Sequence, residues 1–185
     1  NLYFTTMINI DPNIVEEKAI EIELPEKLHF LLTESARFKI LLGGRGSSKT
    51  ESAARALIVF ATQMRLRIAC FRELQNSIDE SSYSTIKNVI MDTWSQGSWV
   101  FEWDIQKTTI ISKRTGSEFI FSGLRYKIDS VKSMARIDIA WVDEARNCSK
   151  TTLDKLDPTI RGQFKDGVTK GGPFDKGPLI IYTFN

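Results

Sequence analysis

The chain has 185 residues, 25 Lys and Arg against 23 Asp and Glu, a formal net charge of +2 at pH 7, and 42% apolar side chains. That length suits one domain with a sizeable core, and the near-neutral balance means that any surface for nucleic acid is a local patch. No apolar run approaches a membrane span, no signal peptide is visible, and the lone His29 with the separated Cys70 and Cys148 argues against a structural zinc site or a histidine-based triad. A reduced, cytoplasmic setting follows from the cysteine usage.

Asn1-Leu2-Tyr3-Phe4 resembles part of an engineered protease site and Met7 reads as a natural start, so residues 1–6 are expected to be an expression-tag remnant, with the domain over 7–185. Residues 8–30 are acidic and mixed, broken at Pro12 and Pro25, and read as an arm with a short helix near 25–32. Phe38-Lys39-Ile40-Leu41-Leu42 reads as a buried strand feeding the loop Gly43-Gly44-Arg45-Gly46-Ser47-Ser48-Lys49-Thr50. Beyond it, Ala53, Leu57, Phe60, Ala61 and Met64 fall on one helical face. Residues 67–71 read as a second strand. Tyr83, Ile86 and Ile90 then recur at helical spacing, with Asp79 and Glu80 placed in a first turn.

Three short strands are expected near 100–103, 108–112 and 118–122, punctuated by Gly97, Gly116 and Gly123. Ile137-Asp138-Ile139-Ala140-Trp141-Val142 is a mostly apolar strand that ends in Asp143-Glu144. Residues 162–178, rich in Gly, Lys, Asp and Pro, read as a loop, and 179–184 as a last strand; an end at Asn185, directly after it, suggests a truncated chain. Trp94, Trp99 and Trp103 read as core rather than as a stacking platform for bases, and Lys107, Lys113, Arg114 and Arg125 as a solvated face.

The loop carries the chemistry. In the phosphate-binding motif G-x-x-x-x-G-K-[ST], backbone N–H groups wrap phosphates, the lysine reaches the terminal phosphates, and the hydroxyl ligates Mg²⁺. Gly43, Lys49 and Thr50 fit it, while Ser48 stands where a glycine is expected; Gly44, Gly46 and Ser47 keep the loop permissive. The plain alternative is a Gly/Ser-rich surface turn, but the strand–loop–helix order favours a nucleotide site at a helix N-terminus. Asp143 can hold Mg²⁺ and Glu144 can polarise the attacking water as general base. Alone, that pair would be read as a helix cap. Its distance from Lys49 leaves room for an added strand between the two motif strands. The expected fold is therefore α/β, a P-loop NTPase of the ASCE type with a mostly parallel central sheet flanked by helices.

These residues resemble the ATPase domain of the large terminase subunit of tailed phages and prophages. The resemblance rests on the loop with its internal Arg45, on Cys70-Phe71-Arg72-Glu73-Leu74-Gln75-Asn76-Ser77, on Trp141-Val142-Asp143-Glu144-Ala145, and on Thr183-Phe184-Asn185. Gly123-Leu124 and Asp157-Pro158-Thr159-Ile160-Arg161 add to it. It implies ATP hydrolysis with Mg²⁺ that drives double-stranded viral DNA into a procapsid. The implied partners are DNA, a portal, a small terminase subunit and, on the portal, a homo-oligomeric ring of subunits that are monomers in solution.

The implied place is the host bacterium's cytoplasm and, transiently, the procapsid portal, with no membrane. Residues 43–50 would bind the nucleotide and Thr50 and Asp143 the metal, with Glu144, Lys49, Arg45 and Asn185 as catalytic groups. Thr183 to Asn185 would couple the γ-phosphate or its water to motion. Arg125 and Arg161 are candidates for an arginine given to a neighbouring subunit. The family's C-terminal nuclease domain is expected to be absent from this chain. Rival readings are another P-loop nucleic-acid translocase or helicase, a nucleotide-binding switch with weak turnover, and a structural domain with a degenerate loop.

Overall fold

The computed structural model describes residues 2–8, 18–44, 46–74, 82–94, 103–125, 131, 134, 136–160, 174 and 176–184. Strands β1 (Leu2–Ile8) and β2 (Lys18–Leu24) pair antiparallel as a ribbon of their own. The strand at 18–24 differs from the arm expected there. Ala19-Ile20-Glu21-Ile22-Glu23-Leu24 alternates small or charged with apolar residues at period two, a strand pattern that the nearby prolines and acidic composition hid. Ile22 and Leu24 are buried in the main core. A short 3-10 turn and α1 (Phe30–Thr33) follow, where a short helix was predicted.

The main sheet is built from β3 (Phe38–Leu42), β4 (Arg67–Arg72), β5 (Trp103–Ile105), β6 (Thr109–Ser112), β7 (Glu118–Gly123), β8 (Ile139–Val142) and β9 (Leu179–Phe184). Its order is β3-β9-β8-β4-β7-β6-β5. The five strands from β3 to β7 run parallel, and β6 and β5 close that end antiparallel. The mostly parallel sheet of the sequence reading is thus present, and β9 is the added strand between the loop strand β3 and the carboxylate strand β8. Of the strand expected at 100–103, Trp103 begins β5, and 100–102 lie outside the described residues.

Parallel strands covered on both faces should be apolar throughout. In β4, Ile68 and Cys70 face one core and Ala69 and Phe71 the other; in β8, Ile139 and Trp141 alternate in the same way with Ala140 and Val142. The first core is filled by α2 (Lys49–Gln63) and α3 (Ser82–Trp94), the second by α4 (Lys150–Leu156), whose N-cap Ser149 accepts a hydrogen bond from the Thr152 amide. Of the predicted stripe, Ala53, Leu57, Phe60 and Ala61 are buried and Met64, just past the end of α2, is half-buried; Ala54, Ala56, Ile58 and Val59 are buried as well, so α2 is enclosed well beyond one face. Asp79 and Glu80, placed by sequence in the first turn of α3, lie outside the described residues.

Strand β3 corrects one expectation. It was read as buried, yet only Lys39 and Leu41 are, while Phe38, Ile40 and Leu42 are 44%, 55% and 75% exposed. The three exposed side chains alternate along β3 and so share one of its faces; among the described residues β3 ends the sheet, with β9 as its strand partner. Trp103 is buried against Phe119, with ring centroids 5.9 Å apart, in agreement with the core reading. The side chains of Trp94 and Trp99 lie outside the described residues. Lys107, Lys113, Arg114 and Arg125 are exposed.

Candidate active site

Parallel register lines up the carboxyl ends of the inner strands. Leu42 pairs with Phe184, Tyr182 with Val142, and Val142 with Phe71. One position further on, Thr183, Asp143 and Arg72 stand side by side, and in an open α/β sheet this end is where ligands bind. Both predicted motifs open onto it.

The loop after β3 leads directly into α2, whose first residues are Lys49 and Thr50. Lys49 is 5% exposed, and its ammonium donates to the carbonyls of Gly43 and Gly44, over 2.7 and 2.8 Å, and to Ser47 Oγ over 2.6 Å. An ammonium has three donors and no acceptor, so the lysine is fully satisfied by its own loop. Gly46 lies at φ +78° and Ser48 at φ +55°, both in the left-handed region. The glycine expected at position 48 is thus needed for its backbone. Serine adopts the same conformation at a cost of about 1–2 kcal/mol. An open cavity of about 480 Å³ extends from residues 46–51 to Thr85, Asn88, Val89 and Asp92 on α3.

Asp143, 1% exposed, is held by three side chains from three elements. Its Oδ1 accepts from Thr183 Oγ1 at 2.8 Å and from Thr50 Oγ1 at 3.3 Å, and its Oδ2 accepts from Arg72 Nε at 3.1 Å. Its amide donates to the Phe71 carbonyl over 2.9 Å, extending the β4–β8 ladder by one bond. Thr50 and Asp143, predicted as metal ligands 93 residues apart, are therefore brought together. Glu144 follows in the left-handed region at φ +51°. Its Oε1 pairs with Arg72 Nη2 at 2.8 Å and its Oε2 accepts from Asn147 Nδ2 at 3.1 Å.

Of the other predicted site residues, Gly43, Gly44, Gly46, Ser47 and Ser48 form the described part of the loop, while Arg45, Asn185 and Arg161 lie outside the described residues. Arg125 is exposed past the end of β7, its amide donating to the Glu73 carbonyl. Sequence reasoning gave no role to Arg72 or Asn147. The signal for Arg72 was its place, last in the strand beside β8; for Asn147 it was the spacing of three from Glu144 in a helical turn.

The thiols nearby are inert acids. Burial, reinforced by the Asp143 carboxylate, pushes Cys70 well above its ordinary value. Burial and the neighbouring Glu73 carboxylate push Cys148 up to about 12.

The family described as phage terminase large subunit matches residues 35–185. The chain belongs to that family. Among solved structures, the terminase fold recurs in the large terminase of a thermophilic bacteriophage in complex with ADP, with a TM-score of 0.55 and 13% identity over 80% of this chain and 34% of that one. The large terminase ATPase domain of Thermus phage P74-26 matches with a TM-score of 0.57 and 17% identity, over 87% of this chain and 70% of that one. The Phi-28 gp11 DNA packaging motor matches with a TM-score of 0.53 and 17% identity, over 80% of this chain and 46% of that one. The chain thus spans about a third of the length of the large terminase from the thermophilic bacteriophage. No curated protein matches it.

Proposed function

We propose that this terminase chain hydrolyses ATP and that the hydrolysis moves double-stranded viral DNA into a procapsid. The observation that carries the reading is the meeting of Thr50 Oγ1 with the buried Asp143 carboxylate across 3.3 Å, at the mouth of a loop that ends in Lys49.

The residues present suit Mg²⁺, a hard ion held by one or two carboxylates together with phosphate oxygens and water. Thr50 and Asp143 offer a hydroxyl and a carboxylate oxygen. Among the described residues no group of three or more His, Cys, Asp and Glu could hold a metal without such help. The bound ion would neutralise charge on the phosphates. The chain's own part is positioning. The amides of the loop and of the α2 N-terminus take phosphate oxygens, and Lys49 exchanges the carbonyls of Gly43 and Gly44 for them. Glu144, next to Asp143, takes the proton of the attacking water.

Arg45 contacts phosphate from within the same subunit, and Asn185, after Thr183 and Phe184, positions the water or senses its phosphate. Arg125 or Arg161 serves the neighbouring subunit. Portal, small terminase subunit and a ring of copies are the proposed partners, in the host cytoplasm and at the portal. The ADP complex of the thermophilic phage's large terminase supports nucleotide binding by the shared fold.

Phosphate release from Mg-ATP by the purified chain, compared with Lys49→Ala and Glu144→Gln, tests the proposal. Loss in both variants is expected, with binding retained in Glu144→Gln. Equal turnover in all three proteins refutes it. Strand unwinding by the chain would instead favour a helicase, and tight ATP binding with no release at high protein concentration a switch.

A further inference from the structure

We propose that Arg72 is the positioning residue of the hydrolytic centre, a single guanidinium that sets the attitude of both Asp143 and Glu144. The inference rests on the ATPase reading above and assigns to it a residue outside the two motifs.

Arg72 closes β4 and its side chain is 11% exposed. Its Nε meets Asp143 Oδ2 at 3.1 Å, and its Nη2 meets Glu144 Oε1 at 2.8 Å. The two carboxylates are neighbours in sequence, and charges so close repel each other, with Asp143 buried and the Glu144 side chain 38% exposed. One planar cation, with Nε and Nη2 side by side on one edge, answers both at once. It also fixes two directions, because guanidinium N–H groups are rigidly arranged.

The consequence differs for the two acids. With Oδ2 taken by Arg72, Asp143 presents Oδ1 towards Thr50 and Thr183, the side on which the loop lies. Glu144 occupies a left-handed backbone conformation that a residue with a Cβ adopts only when its surroundings hold it there. Arg72 on Oε1 and Asn147 on Oε2 are those surroundings. Without the guanidinium, Glu144 keeps one neutral partner and is free to swing towards water. A misplacement of about 1 Å costs about 100-fold in a positioned reaction.

A lysine in place of Arg72 keeps the charge but is a point donor on a flexible stem, without the fork. Charge and geometry can therefore be separated. Arg72→Lys and Arg72→Gln are compared with wild type for kcat and KM of Mg-ATP hydrolysis. The affinity of each for a fluorescent ATP analogue is measured in EDTA, where no metal contributes. We expect kcat to fall by about 10- to 100-fold in Arg72→Gln and by at least about fivefold in Arg72→Lys. KM and the EDTA affinity should stay within about threefold of wild type, since Arg72 acts on the carboxylates of Asp143 and Glu144.

The decisive comparison adds Arg72→Gln to Glu144→Gln. If Arg72 acts through Glu144, the double variant is no slower than Glu144→Gln by more than about twofold. Losses that multiply, or an Arg72→Gln variant with wild-type kcat, overturn the proposal. So does a fall in the EDTA affinity that parallels kcat, which marks a fold defect. Failure of the ATPase reading is seen separately, as turnover that survives Lys49→Ala.

Discussion

Thr183 Oγ1 donates to Asp143 Oδ1 over 2.8 Å, tying the end of β9 to the end of β8, where Thr50 at the start of α2 reaches the same oxygen. Thr183 is 1% exposed, and its hydroxyl also accepts from Trp141 Nε1 at 3.4 Å. Removing it leaves a buried carboxylate oxygen with a longer bond to Thr50 as its remaining described partner. Thr183→Val, close to isosteric, should destabilise the domain by about 1–3 kcal/mol. It should also lower ATP turnover, because Asp143 loses one of three restraints. Thr183→Ser, which keeps the donor, should stay near wild type in both. Urea denaturation and phosphate release check the pair, and equal behaviour of the two variants would remove Thr183 from the site.

Ser48 offers a gain instead of a loss. Its left-handed backbone is one that glycine enters without a Cβ penalty, but glycine also has more freedom to lose on folding. The net for Ser48→Gly is a stabilisation of about 0.5–1 kcal/mol, a rise in melting temperature of about 1–4 °C for a chain of this size. Ser48→Ala keeps the penalty and should melt with wild type. Calorimetry on the three proteins decides it. A Ser48→Gly variant that melts lower than wild type would show that the serine hydroxyl matters more than its backbone.

Much of this site was legible because it is written locally. Gly43 through Thr50 form one continuous segment, and Asp143-Glu144 ends one strand, so each half declares itself without its partner. The spacing of the two motifs left room for an added strand between them in the sheet, but the strand found there, β9, comes from beyond both motifs in the chain. Arg72 was not legible as a site residue, because its role is fixed by register. Phe71 pairs with Val142, and only that alignment sets Arg72 beside Asp143. The strand at 18–24 was hidden for another reason: its period-two pattern lies between prolines in an acidic stretch, where composition argued for an arm. The exposure of Phe38, Ile40 and Leu42 was misjudged because an apolar run says that a strand is apolar and not what covers it. Asp157, part of the terminase-like signature, is engaged structurally: its carboxylate accepts from Arg37 Nη2 at 2.8 Å, and the same guanidinium reaches the Pro178 and Ile160 carbonyls.

That Arg37 cluster predicts a fold defect without a chemical one. Arg37 binds the turn after α4 and the entry to β9, and its loss leaves the Pro178 and Ile160 carbonyls and the Asp157 carboxylate short of a donor. Arg37→Met should cost about 2–4 kcal/mol, allowing for the solvent access of Asp157. Below the melting transition, KM for ATP should be unchanged. A KM shifted more than about fivefold would mean that the cluster shapes the site itself.

The thiols give a readout of integrity. With Cys148 pushed up to about 12 and Cys70 raised well above its ordinary value, neither forms a thiolate in the folded protein near pH 8. Ellman's reagent should therefore react slowly with the native chain and fully after guanidinium denaturation. A fast native thiol would show that one of the two cores opens, the first for Cys70 and the second for Cys148. The unfolded chain ionises first, near 9.0, so this pair of groups lowers stability as pH climbs above 9.

Lys39 should do the opposite in a lower window. Burial lowers it from 10.5 to about 8, with the Glu34 carboxylate opposing the shift, and the ammonium donates to the Leu31 carbonyl at 2.7 Å. It is 2% exposed, so below pH 8 the folded chain carries a charge that it has taken out of water. Between 8 and 10.5 the unfolded chain binds the proton more tightly than the folded one, and stability rises with pH, by at most about 1.4 kcal/mol per unit. Urea midpoints for wild type and Lys39→Met between pH 7 and 9, below the range where the thiols act, isolate the effect. The wild-type curve should climb relative to the variant, with Lys39→Met the more stable by about 1–3 kcal/mol at pH 7, once the lost hydrogen bond is counted. Parallel curves would mean that Lys39 titrates in the folded chain as it does in the unfolded one, and that its charge reaches water along a path beside α1.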